Sequence, residues 1–218
     1  MRRRARSIVF CAGSLLRSLP EIEENDYVIA VDGGYVHAKK IGIKPDLLIG
    51  DFDSINEIPD ESFADRVIRL PAQKDETDLL AALIYGLNEG LHNFHIYGAA
   101  GDRPDHVMAA IQCLAFLAER GARGYIYGGK TITTAIQSGI RFAPKESGII
   151  SVFAHGGDAK GVSLTGFKYR LENALLKCDF PLGISNEFTG KTSRIDLRSG
   201  TLIVIYPCDI CEAEIEDD

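Results

Sequence analysis

Residues 45–54 read PDLLIGDFDS. Leu47, Leu48 and Ile49 form an unbroken apolar run; Gly50 interrupts it, and Asp51 and Asp53 follow at once. An apolar run without alternation marks a strand buried on both faces, as in a parallel sheet. Similar runs lie around it: 8–10, then 27–31 (YVIAV) before Asp32-Gly33-Gly34, 93–97 (NFHIY) before Gly98, and 123–127 (RGYIY) before Gly128-Gly129. Between them, 77–88 and 104–120 repeat apolar residues at spacings of three and four, and Pro104 suits a first helical turn. Strands alternating with helices predict an α/β domain over residues 1–130, built on a doubly wound, mostly parallel sheet. Ligands of such sheets bind beyond the carboxyl ends of the strands, where these glycine–aspartate clusters fall.

Beyond residue 131 the helical period fades. Short strand-like runs at 149–153, 162–164, 184–188, 193–197 and 202–206 are separated by Gly156-Gly157, Gly166, Gly190-Lys191 and Ser199-Gly200. This predicts a small all-β sandwich over 137–218, with 131–137 as the link.

Composition narrows the function. The 218 residues are 45% apolar and 25% charged, ordinary for a soluble globular chain. No apolar run approaches the ~18 residues of a membrane span. The net charge of −7 disfavours nucleic acid as a partner. Residues 2–6 carry four arginines and 209–218 six acids, both expected to be solvated ends. The start imitates a secretory leader, but Gly13 and Ser14 interrupt its apolar stretch and Arg17 ends it, so no cleaved leader is expected. Five scattered cysteines suit a reducing cytoplasm, and the CxxC at 208–211 is only half a zinc site, best read as coincidence.

Four clusters carry the chemistry. Asp51 and Asp53 sit where a turn can converge two carboxylates on Mg²⁺, which takes hard oxygens; a plain surface turn with Ser54 capping a short helix is the alternative. KDETD at 74–78 opens a helix, with Asp75 expected as N-cap and Asp78 at the third position, and a helix start also offers N–H groups to phosphate. In GAAGDRPDH at 98–106 the glycines admit a polyanion and Arg103 can fork onto phosphate oxygens, while His106 reads as a surface histidine. Asp32-Gly33-Gly34 permits positive φ and close ligand contact. Together they describe a Mg–nucleotide site, although no GxxxxGK[ST] loop is present.

In order, these motifs resemble those of the thiamine pyrophosphokinase family: DGG, PD-x-x-IGDFDS, KD-x-TD and G-x-x-GGR-x-DH, then a glycine–aromatic stretch at 166–169 and an SN-E motif at 185–187. The match covers nearly the whole chain. The resemblance implies transfer of pyrophosphate from ATP to the hydroxyethyl group of thiamine, releasing AMP. It implies Asp51, Asp53 and Asp78 as the Mg²⁺-binding acids, and Arg103 and Asp105 at phosphate and catalytic positions. ATP is expected at Asp32, Gly33, Gly34, Asp75, Thr77 and Arg103, and thiamine at Tyr169, Ser185 and Asn186. A homodimer is implied, with thiamine in a cleft that both subunits line. Either Asp105 or a metal ligand takes the alcohol proton. Two departures stand out: Asp102 replaces a glycine before the arginine, and Tyr169 stands where tryptophan is common, in a chain without tryptophan.

Overall fold

The computed structural model describes residues 6–15, 21–53, 61–209 and 213–215. Residues 2–5, Ser54, Cys211 and the last three residues lie outside these, so the Ser54 cap and the CxxC fall outside the described residues. Of the two ends, Arg6 is half-buried rather than solvated, donating to Asp26 Oδ2 at 2.7 Å, and Asp209 is exposed and accepts from Lys145 Nζ at 2.7 Å. The chain divides into two units, Met1–Cys113 with Gly121–Gly129, and Leu114–Arg120 with Lys130–Asp218.

The first unit contains β1 (Ser7–Phe10), β2 (Tyr27–Val31), α1 (Gly34–Lys40), β3 (Leu47–Gly50), β4 (Arg66–Arg69), α2 (Asp78–Asn88), β5 (Asn93–Tyr97), the start of α3 (Pro104–Ala118) and β6 (Arg123–Tyr127). Its strands run in the order β6-β5-β1-β2-β3-β4, and every pairing is parallel. β1, β2 and β3 are buried along their whole length, as their continuous apolar runs require. The chain builds outward from β1 through β2, β3 and β4, then returns to the other side of β1 for β5 and β6. The carboxyl ends of β1 and β5 therefore flank the point where the winding reverses. There Cys11 N–H donates to Tyr97 O at 2.8 Å and Gly13 N–H to Gly98 O at 3.0 Å.

α2 starts one residue later than its periodicity predicts, and Asp75 is not its cap. Thr77 is the N-cap, its hydroxyl accepting from Leu80 N–H at 3.2 Å, and Asp78 is the first helical residue rather than the third. The hydroxyl reaches the free amide from a shorter stem, and Asp78 is held elsewhere, as described below. The deepest face of α2 is Ala81, Ala82, Leu83 and Gly86. A Cβ on Gly86 would stand 2.7 Å from the Phe94 ring, so glycine sets how near the helix lies to β5.

The second unit contains β7 (Thr131–Ile136), β8 (Ile140–Phe142), β9 (Ile149–Thr165), β10 (Leu171–Leu176), β11 (Gly183–Glu187), β12 (Ser193–Asp196), β13 (Ser199–Pro207) and β14 (Ala213–Ile215). Two sequence expectations change here. Residues 131–136 are a strand paired antiparallel with β13, not a link. The runs 149–153 and 162–164 belong to one 17-residue strand, β9, which continues through Gly156-Gly157 where a turn was expected. Gly156 and Gly161 both take φ of +70°, so the glycines bend the strand without ending it. β9 pairs with β10, β11, β12 and β13. Phe142, Phe167, Phe188 and Tyr206 meet edge-on in the core, with centroids 5.2–6.3 Å apart.

Candidate functional site

The turn after β3 is built around Phe52. This residue adopts φ +62°, rare for an aromatic side chain, while its ring is buried among Ala30, Tyr35, Leu48 and Ala64. A left-handed residue of this kind costs about 1–3 kcal/mol, and burying the ring offsets it by about 1.5–3 kcal/mol. The reversal brings Asp53 N–H to Asp51 Oδ1 at 3.2 Å. Asp32, at the end of β2, also has positive φ (+44°), and its N–H donates to Ile49 O at 2.8 Å. A Cβ on Gly50 would stand 2.9 Å from Asp32 Cα, so glycine at 50 is what lets the two strand ends close together.

Lys74 lies among these acids. Its ammonium is 3.0 Å from Asp51 Oδ2 and 3.1 Å from Asp78 Oδ1, and it donates to Pro71 O at 3.3 Å. The Lys74 side chain is 11% exposed, Asp51 12% and Asp78 25%. The Lys74 hydrogen bond holds the Asp51 carboxyl below the usual range. Repulsion from Asp51, reinforced by Asp32 and Asp78, pushes Asp53 up. Burial pushes Asp78 up against the opposing pull of Lys74. Four carboxylates thus act on one another around one ammonium. Among the described residues, no three His, Cys, Asp or Glu side chains already converge as a chelate. The sequence reading includes Lys74 in the KDETD cluster but gives it no role; the available signal is a lone base directly ahead of four polar residues, three of them acids.

Beside this cluster is a cavity of about 670 Å³, bordered by Gly13, Asp32, Lys74, Asp78, Gly98 and Arg103. Its volume is in the range of small-molecule sites. It lies at the reversal of the winding. Gly98 has φ +74°, and a Cβ on Gly13 would stand 2.4 Å from Gly98 O, so both glycines are required by close backbone contact. Thr77 and the exposed Asp102 also border the cavity, as does His106. Arg103 and Asp105 are both exposed and paired, Nε to Oδ1 at 3.2 Å. Their hydrogen bond holds the Asp105 carboxyl low. Asp75 is exposed.

Gly33 and Gly34 serve a different purpose from the positive φ expected of them. Gly33 is right-handed, with φ −57°, and the positive φ falls on Asp32. A Cβ on Gly34 would stand 1.9 Å from Phe10 O. The glycine lets α1 start against the end of β1.

In the second unit, Tyr169 is 57% exposed, and Lys168 Nζ lies 5.3 Å from its ring centroid. Asn186 is buried and its amide is spent on the Tyr169 backbone: Oδ1 accepts from Tyr169 N–H at 3.0 Å, and Nδ2 donates to Tyr169 O at 2.7 Å. Oδ1 also accepts from Glu187 N–H at 2.9 Å. Ser185 is exposed with φ +56°, and its N–H donates to Ser151 Oγ at 3.1 Å.

Comparison with known proteins shows which family the chain belongs to. Residues 20–126 match the thiamin pyrophosphokinase catalytic domain, and residues 138–202 match the vitamin B1 binding domain of the same proteins. The chain is 32% identical to thiamine pyrophosphokinase of Bacillus subtilis (strain 168), over 94% of this chain and 100% of that protein. It is 27% identical to thiamin pyrophosphokinase 1 of Caenorhabditis elegans, over 82% of this chain and 77% of that one. The crystal structure of the Bacillus subtilis enzyme superposes with a TM-score of 0.81 at 30% identity, covering 94% of this chain and 99% of that chain. That of the Enterococcus faecalis family protein gives 0.76 at 25% identity, covering 94% and 100%.

Proposed function

Because the chain belongs to the thiamin pyrophosphokinase family, enzymes that transfer pyrophosphate from ATP to thiamine, we propose that ATP and Mg²⁺ bind at the acid cluster and the cavity beside it. The observation that carries this reading is the set of mutually repelling carboxylates, Asp32, Asp51, Asp53 and Asp78, two of which, Asp32 and Asp78, border that cavity. Their hard oxygens fit Mg²⁺, and Asp51, Asp53 and Asp78 hold it in this reading. When bound, Mg²⁺ neutralises phosphate oxygens and favours departure of AMP.

The chain's own groups do the rest. The free N–H groups opening α2, next to Asp75 and Thr77, face phosphate charge. Gly33 and Gly34 support Asp32 by keeping α1 close to β1. Arg103 exchanges its exposed partner Asp105 for phosphate oxygens and stabilises charge around the β-phosphorus. The thiamine hydroxyl oxygen bonds to the β-phosphorus, the bond from that phosphorus to the AMP oxygen breaks, and the hydroxyl proton passes to a carboxylate. Asp105, freed when Arg103 turns to the phosphate, is our choice for that base. Thiamine stacks on the open Tyr169 ring, Ser185 offers its hydroxyl, and Asn186 holds the Tyr169 backbone in place.

We read the first unit as doubly wound, because the strand order reverses at β1 and right-handed crossovers then fall on opposite faces. We read the second as a sandwich sharing β9, and the working boundary as falling just ahead of β7, at Gly129–Lys130. Ile149, Tyr169, Leu175, Phe180, Leu182 and Ile184 are each 48–62% exposed in that unit, which supports a homodimer. Light scattering that finds an active monomer at micromolar concentration refutes the dimer. A cytoplasmic location completes the reading; among the described residues no helix is long and apolar enough to cross a membrane.

The test of the site is Asp53→Asn. Asp53 is exposed, so the fold survives. We expect kcat to fall by at least ~100-fold through lost metal charge. Near-wild-type turnover refutes the metal assignment.

A further inference from the structure

We propose that Lys74 is an internal stand-in for the cation: its ammonium neutralises Asp51 and Asp78 in the free enzyme, leaves when the metal–nucleotide enters, and pairs with a phosphate oxygen instead. This rests on the Mg²⁺ reading above. The ammonium is bound by Asp51 Oδ2 and Asp78 Oδ1, oxygens of two of the three acids assigned to the metal. A lysine cation and a divalent metal repel each other and so compete for those oxygens.

Burial explains why a stand-in is needed. Asp53 is exposed and can be hydrated, but Asp51 and Asp78 are 12% and 25% exposed. Charges withdrawn from water to that degree require a partner. Lys74 is itself 11% exposed, with no acid beyond these two paired to it among the described residues. Its departure is costly unless it meets new negative charge. A bare divalent ion brings none, whereas a metal–triphosphate brings several. The exchange therefore penalises bare metal and favours metal that arrives with nucleotide. Lys74 also borders the cavity, so the ammonium reaches the nucleotide without crossing the core.

The experiment is Mn²⁺ binding to the full chain, read from the paramagnetic resonance of free Mn²⁺, with and without α,β-methylene-ATP, which cannot transfer its β-phosphorus. Wild type is compared with Lys74→Met, Lys74→Arg and Asp53→Asn. Removing the competing charge should tighten bare Mn²⁺ on the order of tenfold in Lys74→Met, and losing the phosphate partner should weaken Mn²⁺–analogue binding by a similar factor. Lys74→Arg should keep bare Mn²⁺ affinity close to that of wild type. A change in the same direction in both titrations of Lys74→Met, or no change in either one, overturns the proposal. A merely structural lysine gives no such opposite pair. Absence of Mn²⁺ binding in wild type and Lys74→Met at millimolar metal, or undiminished binding in Asp53→Asn, overturns the metal reading itself and the proposal with it. Should Lys74→Met fail to fold, the ammonium resonance of Lys74 in the wild-type protein, assigned by its loss in Lys74→Arg, decides. It should shift on saturation with Mg²⁺ and analogue, and an unmoved resonance overturns the exchange.

Discussion

His95 should make the protein acid-labile in a way one substitution removes. It lies on β5, with Nδ1 2.7 Å from the Tyr127 hydroxyl and its ring against Tyr125 and Tyr127. Its Nε2 is buried without a hydrogen-bond partner. Burial, reinforced by Arg6 and opposed by Asp26, pushes the imidazole from 6.5 down to about 4. The folded protein therefore resists a proton that the unfolded chain accepts. Above pH 6.5 both states are neutral and the residue adds no pH dependence. As pH falls from 6.5 towards 4, only the unfolded state is protonated, so stability is lost across that window. With those two values the loss relative to pH 7.5 is about 2 kcal/mol at pH 5 and about 3 kcal/mol at pH 4. His95→Phe keeps an aromatic ring beside Tyr125 and Tyr127 and removes the titration. Calorimetric melts of both proteins at pH 7.5, 6 and 5 test this. At roughly 2–4 °C per kcal/mol for a chain of this size, wild type should lose about 4–8 °C more than His95→Phe by pH 5. Parallel losses in the two proteins would show that His95 is not held neutral by its surroundings.

Two further outcomes bear on the second unit. Tyr169→Ala should raise KM for thiamine roughly 5- to 30-fold and leave KM for ATP nearly unchanged, as expected for a lost stacking surface; Tyr169→Trp should hold or improve thiamine affinity, and equal rises in both KM values would refute stacking. Asn186→Ala frees the N–H and C=O of Tyr169 and should cost about 1–3 kcal/mol of stability. Its KM for thiamine should rise as well, and an unchanged melting temperature would contradict the amide clamp.

How far the sequence could be read depended on where each segment's partners lie. β2, β5 and β6 match their runs to the residue. β2 is buried at every position, whereas β5 and β6 mix buried and half-buried residues, and the half-buried places include His95, Tyr125 and Tyr127, whose rings keep the strand signal. α1 escaped notice because two turns are too short to declare a period. β4 has the sequence RVIR, with exposed arginines at both ends, so little apolar signal remains. β10, LENALL, is rich in good helix formers and is a strand because β9 pairs with it. In the candidate site, Asp51, Asp53 and Asp78 came together only through the family resemblance, since Asp78 lies 25 residues or more from the other two; the folded chain holds the three within electrostatic reach of one another. The left-handed Phe52 was invisible, since local preference opposes it and only burial of its ring makes it possible. Asn186 read as a contact to ligand; two of its amide hydrogen bonds go to Tyr169, 17 residues away. No short-range pattern could reveal that clamp.

The single long strand β9 also governs the order in which the protein is made. The first unit has all six of its strands once Tyr127 is synthesised. β9 is complete at Thr165, yet β13, which pairs with it from Lys160 back to Ser151, is finished only at Pro207. At about 5–20 residues per second, translation of that interval takes roughly 2–8 s. Throughout it, one edge of β9 between Ser151 and Lys160 presents unpaired backbone next to Val152 and Phe153 on a nascent chain. That interval is where chaperone binding or aggregation would act on this protein, and where slow translation over residues 166–207 would do the most harm.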